Sequence, residues 1–238
     1  MKIARACTQD GTVMGEYRNG ELLDDSERRY DIGREARLLP PCEPSALYCV
    51  GRNFTEKIDQ MDYDTPDTPD FFIKPPVSLQ APDSELQYPS FTDELTYAGE
   101  LAAVVGVRCK SLTRDEVPEA LMGFTILNDM DALDQERRTA RKAFDGSAPL
   151  GPWIETDLDP GHLDMKTEIN GEVRQEATTE QMIFHPYDIV SFLSERFTFS
   201  PGDVISFGSP ENPGTVEPGD EMNIWYEDIG TLSNTLVD

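Results

Sequence analysis

Tyr97-Ala98-Gly99-Glu100-Leu101-Ala102-Ala103-Val104-Val105-Gly106 is the stretch on which the fold of this chain turns. One acidic residue leads into an unbroken apolar run that a glycine closes. Such a run predicts a strand buried on both faces, with Glu100 at its polar end. Gly123-Phe124-Thr125-Ile126-Leu127 has the same design and runs into Asn128-Asp129. Two carboxylates at the ends of two core strands are placed to meet over a pocket and hold a hard cation such as Mg²⁺ or Mn²⁺. Taken singly, each acid reads more simply as a surface cap on its strand, because Asp and Glu are mostly exposed residues.

Outward from this pair the chain is a series of short strands. Residues 1–6, 11–17 and 21–23 alternate apolar and polar positions between Gly-containing turns, and Pro40, Pro41 and Pro44 follow. The prolines mark a boundary between a small β-rich lead-in, residues 1–43, and a larger domain, residues 44–238. Residues 46–50 form the next buried strand, with Arg52 and Asn53 beyond its end; helical turns are predicted over 55–61 and an Asp/Pro-rich surface loop, a candidate lid, over 62–70. Phe71-Phe72-Ile73 then brings Lys74, flanked by apolar residues and prolines, toward a pocket. Thr113 and Glu116 cap a helix over 113–121. A second helix is predicted over 131–143, with Glu136, Arg137, Arg138 and Arg141 in surface ion pairs, and residues 142–154 read as a rigid Gly/Pro-rich segment. Asn170-Gly171 between two alternating runs is a hairpin turn. Residues 186–196 are helical, with Pro186 in the first turn. Strands over 204–207 and 222–226 follow, and residues 229–232 close the chain. The sum is a β-dominated α+β fold with a few short helices.

Forty-six acidic residues against twenty basic ones give a formal charge of −26, and only six of the basic residues are Lys. An acidic surface of this kind excludes nucleic acid and anionic membranes as partners, since phosphate binding needs clustered Lys and Arg. No apolar run approaches a membrane span and the first residues lack a signal-peptide core, so the expected compartment is the cytoplasm. Acidic excess with few Lys points to a cytosol rich in salt, where screening removes self-repulsion. Cys7, Cys42, Cys49 and Cys109 have no metal-type spacing and read as reduced thiols. With only His162 and His185 present, a Ser-His-Asp triad or a His-rich zinc site has almost nothing to be built from.

Several pieces, in order, resemble the fumarylacetoacetate hydrolase family: Cys49-Val50-Gly51-Arg52-Asn53-Phe54, Phe72-Ile73-Lys74-Pro75, Glu100-Leu101, Asn128-Asp129, Lys142-Ala143-Phe144-Asp145, Pro149-Leu150-Gly151-Pro152, Asn170-Gly171-Glu172, Pro201-Gly202-Asp203 and Gly208-Ser209-Pro210. The resemblance implies a mixed β-sandwich roll, a homodimer, and a divalent metal at the mouth of the roll. It also implies cleavage, decarboxylation or isomerisation of small 2-oxo or 1,3-dioxo dicarboxylates. Chelation by such an acid polarises its carbonyl and stabilises the enolate left when a neighbouring C–C bond breaks.

Carried over residue by residue, the resemblance makes Glu100 and Asp129 the metal ligands, while the family's third carboxylate falls on Ala98, which has no donor. Glu94 lies on the alternating face but is a poor substitute. The His and Glu that support water activation in hydrolytic members fall on Lys57 and Gln60, and an expected arginine falls on Leu133. Lys142, Lys57 and Ser209 are the catalytic candidates, and Arg52, Asn53 and Lys74 the substrate contacts. Without the water-activating base, decarboxylation or keto–enol isomerisation is favoured over hydrolysis, since those reactions need an electron sink and not an activated water. The rival reading is a catalytically silent paralogue that keeps the fold and dimer and binds a small acid or a protein partner. The charge itself yields a first prediction: the melting temperature rises between dilute buffer and molar KCl, and a calorimetric scan showing no rise contradicts it.

Overall fold

Alternation along the Gly99–Val105 strand sends Leu101, Ala103 and Val105 into one apolar cluster and Ala102 and Val104 into another. A strand with apolar side chains on both faces needs layers above and below it, and the rest of the chain supplies them. The structure is a computed structural model and describes residues 1–55, 64–210 and 213–238. Gly99–Val105 pairs antiparallel with Leu121–Asn128 on one side and Val204–Ser206 on the other. Leu47–Gly51 then runs parallel to Val204–Ser206, and Asp70–Lys74 closes that edge. On the opposite side Ala148–Glu155 joins Leu121–Asn128, so residues read as a rigid Gly/Pro segment form a strand.

Residues 1–43 extend the same sheet. Lys2–Thr8 pairs with Ala148–Glu155, and Gly11–Arg18, Glu21–Asp24 and Arg29–Asp31 follow in order, with Ala36–Leu39 also against Lys2–Thr8. A second sheet of five strands runs Glu172–Thr178, Asp164–Ile169, Glu221–Tyr226, Gly230–Val237, Ser84–Gln87. Its Met165, Ile224, Tyr226 and Leu232 meet Leu101, Ile126 and Phe207 of the first sheet, and Ile189, Val190 and Leu193 of the Pro186–Ser194 helix join the same cluster. The chain thus has the strand-dominated α+β fold with few helices.

Gly99 lies at a close approach of the two sheets. A Cβ there would stand 2.6 Å from Thr167 Oγ1 and 2.8 Å from Ile224 Cγ2. Its N–H donates to Gln175 Oε1 at 3.1 Å, and its carbonyl accepts from the Tyr226 hydroxyl at 3.3 Å. The Asn170-Gly171 turn takes φ of 52° and 79°, as the hairpin requires. Thr113 and Glu116 form the capping box, but the helix they open is a short 3₁₀ turn, Arg114–Glu116, running into Val117–Ala120. The helix predicted over 131–143 is reduced to Arg138–Lys142. Asp131–Ala132 instead pairs as a strand with Leu95–Thr96, and Asp134 accepts from Thr92 Oγ1 at 2.6 Å and Asp93 N at 3.0 Å. Those bonds draw the segment across to another part of the chain and leave one helical turn. The turns predicted over 55–61, and residues 62 and 63 of the candidate lid, fall almost wholly outside the described residues. All four cysteines are free.

Asp203 joins the two chain segments that carry the parallel strand pair. Its buried carboxylate accepts from Ser45 N at 2.9 Å, Ser45 Oγ at 2.7 Å and Ser200 N at 2.7 Å. Asp203→Ala leaves these donors without a charged acceptor, and the expected loss is about 3 kcal/mol in denaturant unfolding. An unchanged midpoint would show that the carboxylate contributes nothing.

Candidate active site

Five neighbouring strands of the large sheet end at one edge, and their ends line a cleft of about 470 Å³. Glu100 stands at the start of Gly99–Val105, and Asp129 follows Leu121–Asn128. Gly208 and Ser209 follow Val204–Ser206, Gly51 and Arg52 end their strand, and Phe72 comes from Asp70–Lys74. The sequence therefore places Glu100, Asp129, Lys142, Ser209 and Arg52 in one cleft, which they share with Ala98. Antiparallel pairing explains the meeting of the two acids: Asp129 N donates to Ala98 O at 2.9 Å, and Glu100 lies two residues further along the same strand. A wider hollow of about 580 Å³ on the outer face of the second sheet, beside Lys166 and Trp225, holds no buried carboxylate.

The electrostatic centre is Asp129, 3 % exposed. Its Oδ1 faces Lys74 Nζ at 2.7 Å, and its Oδ2 accepts from Lys142 Nζ. Lys74 is wholly buried and also donates to Met130 O at 3.0 Å and Ser147 O at 2.6 Å. Lys142 lies 3.2 Å from Asp131 Oδ2, and Arg141 holds Asp131 through Nε at 2.8 Å and a terminal nitrogen at 2.6 Å. Burial opposes the charge on Asp129, but the ammonium groups of Lys142 and Lys74 outweigh it and hold the carboxyl below its ordinary 3.8. Burial likewise works against the Lys142 ammonium, and Asp129 and Asp131 overcome it, so its pKa lies above the ordinary 10.5.

Other candidates have different surroundings. Asn53 is fully buried outside the cleft lining: its side-chain amide donates to Phe184 O and Phe207 O and accepts from Phe184 N. That ties the end of one strand to two distant segments. Lys74 sits behind Asp129 and does not line the cleft. Arg52 lines it with a φ of 59°, and Ser209 is buried with its hydroxyl 3.4 Å from Pro210 O. Lys57 and Gln60 lie outside the described residues. Neither histidine lines the cleft. The surface ion pairs expected along one helix are replaced by others: Arg138 makes a bidentate pair with the distant Asp70 at 2.8 and 2.7 Å, and Arg141 grips Asp131. Sequence reasoning missed Asp131, Arg141, Arg138 and Phe72. The Asp129-Met130-Asp131 spacing, which puts two acids on one face of an extended chain, was the available signal.

The donor set can be tested against a resident divalent ion. Both oxygens of Asp129 face ammonium groups, Glu100 accepts from Gly208 N at 3.3 Å, and Ala98 offers no oxygen on its side chain. Asp129 is paired with Lys74 and Lys142, and Asp131 with Lys142 and Arg141. A divalent ion would have to displace an ammonium to reach Asp129. The described residues do not fit the three-carboxylate metal site that the resemblance implies.

Residues 46–237 match the family model described as fumarylacetoacetate (FAA) hydrolase C-terminal. The chain belongs to the fumarylacetoacetate hydrolase family, whose members are hydrolases, isomerases and decarboxylases. It is similar to 5-carboxymethyl-2-hydroxymuconate delta-isomerase from Mycobacterium smegmatis, with a TM-score of 0.91 and 35 % identity over 100 % of this chain and 98 % of that one. It is 32 % identical to a 4-hydroxyphenylacetate degradation bifunctional isomerase/decarboxylase of Salmonella dublin, over 83 % of this chain and 48 % of that protein. It is also 32 % identical to a mitochondrial oxaloacetate tautomerase of Homo sapiens, over 84 % of this chain and 69 % of that protein. Among the described residues no helix is long and apolar enough to cross a membrane.

Lys74→Met removes one of the two cations from a buried carboxylate, and the expected loss is about 3–5 kcal/mol in denaturant unfolding. The lowered pKa of Asp129 sets the pH sign: its contribution is complete above 3.8 and is lost as pH falls through the still lower folded value. In Lys74→Met that acid-side loss begins at higher pH than in the native chain, and coincident acid-unfolding curves would contradict the assignment.

Proposed function

We propose that the chain decarboxylates or isomerises a small 2-oxo dicarboxylate. The supporting observation is a half-buried ammonium, Lys142, held in the cleft by Asp129 and Asp131 beside Glu100 and the Ser209 hydroxyl. When the bond from C3 to the distal carboxylate breaks, its electron pair becomes the C2–C3 double bond of an enolate and charge gathers on the C2 oxygen. Lys142 would donate to that oxygen, and a donor already fixed by its neighbours needs no reorganisation as the charge develops. In isomerisation the C3 proton passes to a carboxylate, for which Glu100 is the candidate, while the oxygen is protonated from Lys142. Arg52 would take a substrate carboxylate, and Asn53 and Lys74 would act by holding the cleft in shape. Hydrolysis is disfavoured because no histidine lines the cleft. The relatives described as isomerase, decarboxylase and tautomerase support the same class. On the habit of the family and the charge of −26, we further propose a homodimer in a salt-rich cytosol.

The silent-paralogue reading rests on one observation, that Ala98 stands beside Asp129 with no group to offer. Oxaloacetate separates the two readings. Native protein is expected to speed enol–keto exchange or release of CO₂, and Lys142→Met to lose about 100-fold in kcat. A native chain no faster than buffer leaves the silent reading standing.

A further inference from the structure

We infer that the Lys142 ammonium is the resident cation of this cleft, occupying by a covalent tether the place that a divalent ion would need. The ammonium reaches Asp129 Oδ2 and lies 3.2 Å from Asp131 Oδ2. Its third side is the ring of Phe72, whose centroid is 5.4 Å away, a cation–π contact in a partly dry site. The stem is fixed as well as the head. Lys142 ends the Arg138–Lys142 helix, and its carbonyl accepts from Ser147 Oγ at 2.8 Å. Asp131 is held from the other side by the two-pronged Arg141 contact, which fixes its orientation toward the ammonium.

Charge completes the argument. A divalent ion is held best where several carboxylate oxygens converge with charge to spare, and affinity follows their number. Here both oxygens of Asp129 already face ammonium groups, and Asp131 is shared by Lys142 and Arg141. Alanine at 98 belongs to the same design. A side chain at 98 lines the cleft beside Asp129, so a carboxylate there would add a negative charge that one ammonium cannot offset. With alanine, a single ammonium suffices. The site therefore holds its cation without drawing on dissolved metal. Its use in polarising a 2-oxo acid rests on the function proposed above; the occupancy does not.

The test is Mn²⁺ binding, followed by electron paramagnetic resonance and calorimetry in molar KCl. The native chain is expected to show no saturable site at millimolar Mn²⁺. Lys142→Met uncovers Asp129 Oδ2 and the side of Asp131 that faces it, leaving Lys74 and Arg141 in place. It is expected to gain one Mn²⁺ per chain, at least about tenfold tighter than native, and the double variant with Ala98→Glu tightens it again. Lys142→Arg keeps the cation and is expected to bind none. Lys142→Gln replaces the methionine variant if circular dichroism shows that it does not fold. A native chain that binds one Mn²⁺ as tightly as Lys142→Met, or a folded Lys142→Met with no gain, overturns the inference. Oxalate titrated into metal-stripped native protein separates the two levels: binding supports the use, while no binding alongside an Mn²⁺ gain in Lys142→Met keeps the occupancy and removes the substrate reading.

Discussion

A carboxylate sealed from water between two ammonium groups is the constraint around which this chain is arranged. Asp129 sits at the end of a core strand, and an isolated charge at 3 % exposure is not tolerated. Its two partners come from either side in sequence, Lys74 from the edge strand and Lys142 from the single turn of helix that follows. Lys74 also satisfies two backbone carbonyls, of Met130 and Ser147, so one group fixes the approach of the edge strand, the end of the core strand and the turn before the next strand. Such a cluster gives little net stability compared with apolar packing, but it is severe on any arrangement that leaves one charge alone. Specificity of placement is what it supplies, and a reaction centre depends on placement.

The same cluster explains how a site can persist after losing part of its expected ligand set. Two carboxylates and a lysine are recovered in one cleft, with the fold around them intact. The position that departs, Ala98, is the one whose side chain would compete for the cation. Asp131 and Arg141 then matter as well: Arg141 orients Asp131, and Asp131 shares the ammonium with Asp129.

Sequence made the scaffold legible where the signal is local. The Gly99–Val105 run, the Asn170-Gly171 turn and the Thr113–Glu116 capping box each carry their reason within a few residues, and each is found. The helix expected over 131–143 failed because its residues bond outward. Asp134 is taken by Thr92 and Asp93, and Arg138 by Asp70. No window along the chain contains those partners. Asn53 shows the same limit from the other side: as sequence it is a polar residue beside a pocket strand, and only the fold shows its amide engaged with Phe184 and Phe207. Glu100 and Asp129 were found because each stands at the end of an apolar run, which is a local signal, and the pairing of the two strands brings them to one edge.

The bare backbone at Gly99 acts as the spacer between the two layers. Thr167, Gln175 and Tyr226 rest on it directly, and the next residue along is Glu100. Even one methyl group would work as a shim, prying the layers apart at the point where the reaction centre begins. The seating of one layer on the other beside Glu100 thus depends on a side chain that is missing.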